Sequence, residues 1–377
     1  MIYLDHNATT PPEPAVLDAM MPYFTEKWGN PSSAYRFGDA ARNAVEVSRE
    51  TIAHALGASA PGIVFTSGAT ESINSALHSA IIRFPEKKHI VTSAVEHSAT
   101  LAYCEHLKRD FGFEITRLGV DQNGLLDTEG LRKSIREDTA LVSLIWANNE
   151  TGVIWPIDVF ASICREKGAL FHIDGAQAVG KIPVSFEVCG ADFLSFSGHK
   201  IGCPKGIGGL LIREPNTFKP LIYGGKQEHG LRGGTENVAF VVGLSKAVEL
   251  CTIPRAMQAW DEIKEIRNYL EAQVQASIPG AMVNGKTAPR LPNTLSLHLP
   301  GIDSDATVTY LDQKNICVSS GSACLESAIA PSHVIYAMRQ SHEIAGETIR
   351  ISLNRNTQRK ELEKLIKELV HLCAIYS

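Results

Sequence analysis

The sequence predicts an α/β protein: a large domain on a mostly parallel seven-stranded sheet flanked by helices, joined to a smaller α+β domain. Three observations carry this. Apolar runs of strand length alternate with helical patterns between residues 63 and 213, which argues for βαβ units. The chain has 377 residues, beyond the ~250–300 at which single cores stop growing, so two domains are expected to share it. Polar groups suited to catalysis stand at the end of one strand-like run after another, where ligands of such sheets bind.

Residues 1–12 end in Ala8-Thr9-Thr10-Pro11-Pro12, which suits an arm crossing the mouth of a site or simply an ordered terminus. A helix over 13–27 follows, then a loop at Gly29-Asn30-Pro31-Ser32-Ser33, then a helix over 38–56 with Ala41, Ala44, Val45, Ser48, Ile52 and Leu56 at helical spacing. Strands are predicted at 63–66, 89–95, 113–118, 141–146, 169–173, 192–196 and 209–213, with helices at 70–83, 99–110, 128–136 and 157–166. The glycine-rich run 224–234 implies tight turns or close approach to a ligand or another chain, and Thr235 would cap an apolar helix to about residue 250. Pro254 and the charged segment 261–267 mark the crossing into the second domain, giving a large domain over 13–253 and a small one from 1–12 and 254–377. There a helix runs to 277, strands lie at 293–299 and 316–319, a helix at 304–312, and a charged helix starts at 358.

Acidic residues number 41 against 36 basic, a formal charge of −5 with no basic block, so nucleic acid and anionic membranes are poor candidate ligands. No apolar run approaches the ~18 residues of a spanning helix, so a cytoplasmic protein is expected. Eight scattered cysteines without a Cys-x-x-Cys pair read as free thiols.

The organising stretch is Ser195-Phe196-Ser197-Gly198-His199-Lys200, which would aim Lys200 out of the sheet's carboxyl edge. Alone, Lys200 reads as a solvated loop lysine. Asp174, also ending an apolar run, changes that. Pyridoxal phosphate chemistry needs a lysine for the aldehyde carbon and an acid that keeps the ring nitrogen protonated. Other strand ends offer what such a cofactor needs. Thr66-Ser67-Gly68-Ala69-Thr70-Glu71 leads into a helix whose first N–H groups and Thr70 hydroxyl could hold a phosphate, though Thr70 also reads as a plain N-cap. His97 after Glu96 could lie over a flat ring or be structural. Asn148-Asn149-Glu150 could reach a carboxylate or a ring hydroxyl, or form only a turn. Gln177 and Ser197 complete the set.

In the second domain, Cys324 stands among Ser319-Ser320-Gly321-Ser322-Ala323 and Leu325-Glu326-Ser327, a run with too little apolar surface to offset an ordering cost of ~1–2 kcal/mol per residue. It is the candidate reactive thiol, with a mobile loop expected around it, whereas Cys317 between Ile316 and Val318 reads as a packing cysteine. Arg350, between Ile349 and Ile351, suits a bidentate grip on a carboxylate or the exposed face of an edge strand.

These residues resemble the cysteine desulfurases. The likeness rests on Tyr3-Leu4-Asp5 with Ala8-Thr9-Thr10-Pro11, Gly29-Asn30-Pro31-Ser32-Ser33, the Thr66–Glu71 run, Glu96-His97, Asn148-Asn149-Glu150 and Ser197-Gly198-His199-Lys200. It continues through Gly234-Thr235-Glu236-Asn237, Ser319 to Cys324, and Pro331-Ser332-His333-Val334, in the family's order over nearly the whole chain. That family belongs to the class V aminotransferases, on the fold type I pyridoxal-phosphate scaffold, and works as a homodimer. The form of the cysteine run resembles the group with a long cysteine loop.

The resemblance implies that Lys200 holds pyridoxal 5'-phosphate, Asp174 its ring nitrogen, and that His97 stacks on the ring. It places Gln177 and Asn149 at the phenolic oxygen, Ala69, Thr70, Ser197 and His199 around the phosphate, and Thr235 reaching the phosphate of the neighbouring subunit. Arg350 and Asn149 would take the carboxylate of L-cysteine, and freed Lys200 would move its Cα proton. Cys324 as thiolate would then attack the substrate sulfur, leaving a persulfide and alanine, with His97 a candidate to deprotonate it. The implied sulfur acceptor is a protein or scaffold serving iron–sulfur cluster assembly, tRNA thiolation, thio-cofactor synthesis or DNA sulfur modification. Gly202-Cys203-Pro204, Lys226 and His229 depart from the family's pattern without removing a catalytic group. An aminotransferase, a selenocysteine lyase and a non-catalytic scaffold are the competing readings; the intact lysine, aspartate, arginine and cysteine argue against the last, and Cys324 against the first.

Overall fold

A computed structural model describes residues 1–321 and 331–376, so Cys324 and the loop expected around it lie outside the described residues. The strands are β1 (Ile2–Tyr3), β2 (Ile63–Thr66), β3 (His89–Ser93), β4 (Glu114–Leu118), β5 (Thr139–Ile145), β6 (Leu170–Asp174), β7 (Phe193–Ser197) and β8 (Gly208–Ile212), then β9 (Met282–Val283), β10 (Thr294–His298), β11 (Ile316–Cys317) and β12 (Thr348–Ser352). A seven-stranded sheet runs β2-β8-β7-β6-β5-β3-β4. Every pairing among β3 to β7 is parallel; β8 alone runs against its neighbours β2 and β7. Since β8 is antiparallel to both, β2 points the same way as β7, and the carboxyl ends of β2, β3, β5, β6 and β7 share one edge.

Strands buried on both faces divide their side chains between two cores. Val91, Val142, Leu144, Phe171, Ile173, Leu194 and Phe196 enter one. Ile90, Leu141, Leu170, Phe193 and Leu210 enter the other, as the two-residue period of a strand requires. The helix Arg36–Leu56 buries Ala41, Val45, Ile52 and Leu56 along one stripe and ends at Gly57, whose φ of 60° closes it onto Ala53 O. The single helix expected over 13–27 is instead two, Pro14–Met20 and Pro22–Thr25. Pro22 has no N–H to continue the first. Helix Val238–Thr252 is capped by Asn237, whose side chain accepts from Phe240 N, and not by Thr235.

The smaller sheet places β10 between β12 and β9, all antiparallel, and the helices Pro254–Ser277 and Arg359–Tyr376 bury Trp260, Leu270, Leu362 and Leu369 in its core. The first residues of the chain belong to this unit by pairing: β1 lies parallel to β11, and Leu4 N and Ser352 N bond Cys317 O and Leu4 O at 2.9 and 2.7 Å. The next residues then cross to the large sheet, where Thr10 N reaches His199 O at 2.9 Å and Glu13 N reaches Gly202 O at 2.8 Å. The expected arm thus bridges the small sheet and the carboxyl edge of the large one. Cys317 differs from expectation in being half-buried, because Ile316 at 0% and Val318 at 7% exposure take the inward positions.

Candidate active site

Lys200 ends a single 3₁₀ turn, Gly198–Lys200, directly after β7. Its Nζ donates to Asn7 O at 2.5 Å and Ala8 O at 2.7 Å, so the arm and the lysine meet at the sheet's carboxyl edge. Asp174, at the end of β6, is paired in register with Ser195 and is buried at 3% exposure. Burial raises the pKa of its carboxyl, an effect opposed by His97, the Ala176 N–H and Lys200. Beneath it the wholly buried Glu96 accepts from Ser93 Oγ at 2.6 Å and Ile145 N at 3.1 Å, and burial pushes its pKa up to about 8. At neutral pH Glu96 is mostly neutral, which spares Asp174 a negative neighbour.

His97 caps the helix Ser98–Phe111, its Nδ1 accepting from Ala99 N at 3.2 Å. Burial lowers its pKa, with Asp174 opposing and Lys200 and His333 adding to the shift. The neutral ring therefore carries its proton on Nε2 and presents a donor there. To take a proton from a thiol, as expected for Cys324, this tautomer must first give up the Ala99 bond.

The turn after β2 forms a cradle. Helix Ala69–Arg83 starts from Gly68 with no side-chain cap, leaving its first N–H groups for an anion. Thr70 lies inside the helix and is exposed, so it is not the N-cap. Gly208 of β8 makes the close approach possible, since a Cβ there would lie 2.6 Å from Gly68 Cα. Ser197 closes the cradle: its Oγ is 3.6 Å from where a Cβ on Gly68 would stand. His199, held neutral by burial with a pKa lowered to about 4, bonds Thr9 Oγ1 at 3.2 Å through Nδ1. Glu71 fixes the turn by accepting from Ser67 N at 2.8 Å and pairing with Arg232 at 3.0 Å.

Arg350 is buried at 4% exposure, not on an exposed strand face. Nη2 bonds Asp5 Oδ1 at 2.7 Å and Nη1 bonds Asn149 O at 3.2 Å, while its buried Nε has no partner among the described residues. A buried guanidinium with an unused donor is suited to a small carboxylate. Arg350 also holds the start of the cysteine run, exchanging backbone bonds with Ser319. The two sides of segment 322–330 meet at the buried Glu150: a Cβ on Gly321 would lie 2.8 Å from Glu150 Oε2, and Ser332 Oγ bonds the same oxygen at 2.5 Å. Beyond Ser332, the helix His333–Arg339 buries Val334, Ile335 and Met338 in the core that takes Val142 and Phe171 of the large sheet, and the His333 ring meets Glu96 O at 3.0 Å.

Three contributors escaped the sequence reading. Asn7, 1% exposed, accepts on its carbonyl from both Lys200 and Gln177 Nε2, the latter at 2.9 Å, and its side chain bonds Asn149 O, Thr294 Oγ1 and Asn293. Lys181, 4% exposed, donates to Asn7 Oδ1 and Gln177 Oε1. Gly208 is the third. Of the predicted residues, the structure gathers His97, Asp174, Lys200 and Gln177 at one edge, with Arg350 of β12 joined to Asn149 in the loop after β5. Thr235 is exposed on the single chain, in the glycine-rich stretch that Glu228 anchors through Arg49 at 2.9 Å and Phe65 N at 2.8 Å. Breaking such a buried pair costs ~3–5 kcal/mol.

The buried carboxylate of Asp174, the uncapped helix start and Lys200 at the same sheet edge fit a flat, phosphorylated cofactor with a protonated ring nitrogen. Comparison with known proteins agrees. The Aminotransferase class-V family matches residues 2–365. A cysteine desulfurase of Enterobacter agglomerans is 45% identical over 374 residues, spanning 99% of this chain and 92% of that one. The solved structure of a NifS-like protein superposes with a TM-score of 0.91 at 36% identity, covering 99% of both chains. That of SspA in complex with cysteine gives 0.83 at 35% identity, over 95% of this chain and 100% of the other. The chain belongs to the class V aminotransferase family and, within it, to the cysteine desulfurases, which are pyridoxal-phosphate-dependent enzymes.

Proposed function

We propose that this chain binds pyridoxal 5'-phosphate through Lys200 and takes sulfur from L-cysteine, giving L-alanine and a persulfide on Cys324. The observation that carries the reading is the meeting of the half-buried Lys200 and His97 with the buried Asp174, beside the buried Arg350, whose Nε has no partner among the described residues. Bound there, the cofactor supplies an electron sink for the substrate's Cα. Asp174 holds the ring-nitrogen proton, His97 covers the ring, and Gln177 and Asn149 face the phenolic oxygen. Ala69, Thr70, Ser197 and His199 take the phosphate. Arg350 with Asn149 holds the cysteine carboxylate, and Lys200 removes and returns protons at Cα. The Cys324 thiolate then attacks the substrate sulfur: an S–S bond forms, the Cβ–S bond breaks, and its electron pair stays with the carbon fragment, which gains a proton and leaves as alanine. Two residues, Ser322 and Ala323, separate Cys324 from Gly321, which stands beside Glu150.

Within this reading, residues 13–253 form the cofactor domain, and 1–12 with 254–377 the domain that brings Arg350 and Cys324. No helix among the described residues is long and apolar enough to cross a membrane, and the cytoplasm, where thiols stay reduced, suits the chemistry. The sulfur passes to an acceptor protein or scaffold, iron–sulfur cluster assembly being the first use to test. SspA, solved with cysteine bound, supports cysteine as substrate.

Arg350→Ala is expected to leave the cofactor bound and raise KM for cysteine by about 10- to 100-fold, the scale of a lost hydrogen bond to a charged group. Steady-state kinetics check this, and an unchanged KM dismisses the role.

The exposed Thr235 acts across a homodimer interface on the partner's phosphate. A Thr235→Ala chain mixed with a Lys200→Ala chain restores one complete site per mixed dimer. Activity no greater than that of the two parents, with mixed dimers present, contradicts this assignment.

A further inference from the structure

We infer that Lys181 is a positioning residue for the reaction, fixing the Gln177 amide and the arm residue Asn7 against Lys200. The inference rests on the reading above, in which Gln177 faces the phenolic oxygen and Lys200 carries the cofactor. Lys181 lies four residues beyond Gln177 in the turn that follows β6, at 4% exposure. Its Nζ donates to Gln177 Oε1 and, at 3.1 Å, to Asn7 Oδ1, both neutral acceptors. The turn is braced from the other domain by Trp260, whose indole N–H reaches Gly180 O at 2.6 Å.

The consequence follows from donor and acceptor counting. With Oε1 taken by Lys181, the amide of Gln177 has one orientation, and its Nε2 becomes the end turned toward the arm and the site. One Nε2 hydrogen goes to Asn7 O at 2.9 Å, the same carbonyl that accepts from Lys200 at 2.5 Å; the other is left for a ligand oxygen. Asn7 Oδ1 is shared between Lys181 and Asn293 Nδ2, the latter at 3.0 Å, so this amine holds one side of the arm residue that Asn293 holds from the other. Burial, with Lys200 and Arg350 nearby, holds the Lys181 amine well below the usual lysine range. Two N–H donors are enough for the two acceptors, and the lowered pKa lessens the positive charge set beside Lys200.

The test uses the holoenzyme. Lys181→Met keeps the length of the side chain and removes its donors. It is expected to bind a full complement of cofactor, displace the cofactor's visible absorption band, and lower kcat about tenfold with KM changed less than about threefold, the scale of one buried acceptor left unpaired. In a Gln177→Met background the same change leaves the band where Gln177→Met put it. Lys181→Gln, a neutral donor with shorter reach, gives a smaller displacement of the same sign, and it decides the matter if Lys181→Met does not fold. A Lys181→Met enzyme with wild-type band and kcat, or an equal displacement in both backgrounds, overturns the inference, as does a Lys181→Gln enzyme indistinguishable from wild type. A wild-type enzyme with no cofactor band contradicts the underlying reading instead.

Discussion

Lys200→Ala is expected to abolish borohydride fixation of the cofactor and to lower cysteine turnover by at least ~10⁴-fold, since one side chain supplies both the covalent anchor and the proton transfer at Cα. The structure sharpens the experiment. A second lysine, the buried Lys181, is bonded to the same arm residue as Lys200. Its amine is occupied by Gln177 and Asn7, so it is not expected to replace Lys200. Peptide mapping after reduction should therefore find the cofactor on Lys200 in the wild type and on no lysine in the variant. Cofactor fixed to the variant protein, at Lys181 or elsewhere, refutes the assignment.

Cys324→Ser is expected to retain the cofactor and to bind cysteine, because the proposed roles of Lys200, Asp174 and Arg350 in holding them do not call on the thiol. Sulfide release under reductant should fall at least ~10³-fold, on the scale of removing an enzyme's nucleophile. A serine hydroxyl is scarcely ionised at neutral pH and is a poor acceptor for sulfur, whereas a thiol with a reference pKa of ~8.5 needs only modest help to form thiolate. Cofactor content and cysteine-induced spectral change separate loss of chemistry from loss of folding. Wild-type sulfide release by Cys324→Ser would end the persulfide role given to this residue.

Much of the architecture was legible because it is local. Strand β2, four buried residues between a 3₁₀ turn and the Ser67-Gly68 turn, has the predicted ends, and the other strands of the large sheet lie within two residues of theirs. The reversed direction of β8 was not legible, since its hydrophobic run looks the same either way along the chain. Pro22 and Asn237 show local signals that were present and underweighted: a proline that stops a helix, and an Asx cap two residues after the threonine chosen instead. The site divides in the same way. Lys200, Asp174 and His97 follow apolar runs and announce themselves as strand ends. Asn7 and Lys181 are 174 residues apart in sequence yet bonded, and no periodicity encodes such a contact. Arg350 carried a visible pattern, but its burial depends on Asp5 and Asn149 arriving from elsewhere in the chain.

The most direct test is a single turnover without reductant. Holoenzyme mixed with L-cysteine is quenched, alanine is quantified, and the peptide containing Cys324 is weighed. The account predicts one alanine per active chain in the first turnover, matched by one added sulfur atom on Cys324, with the cofactor still on Lys200. Alanine formed without sulfur on Cys324, or sulfur carried by another cysteine, contradicts it.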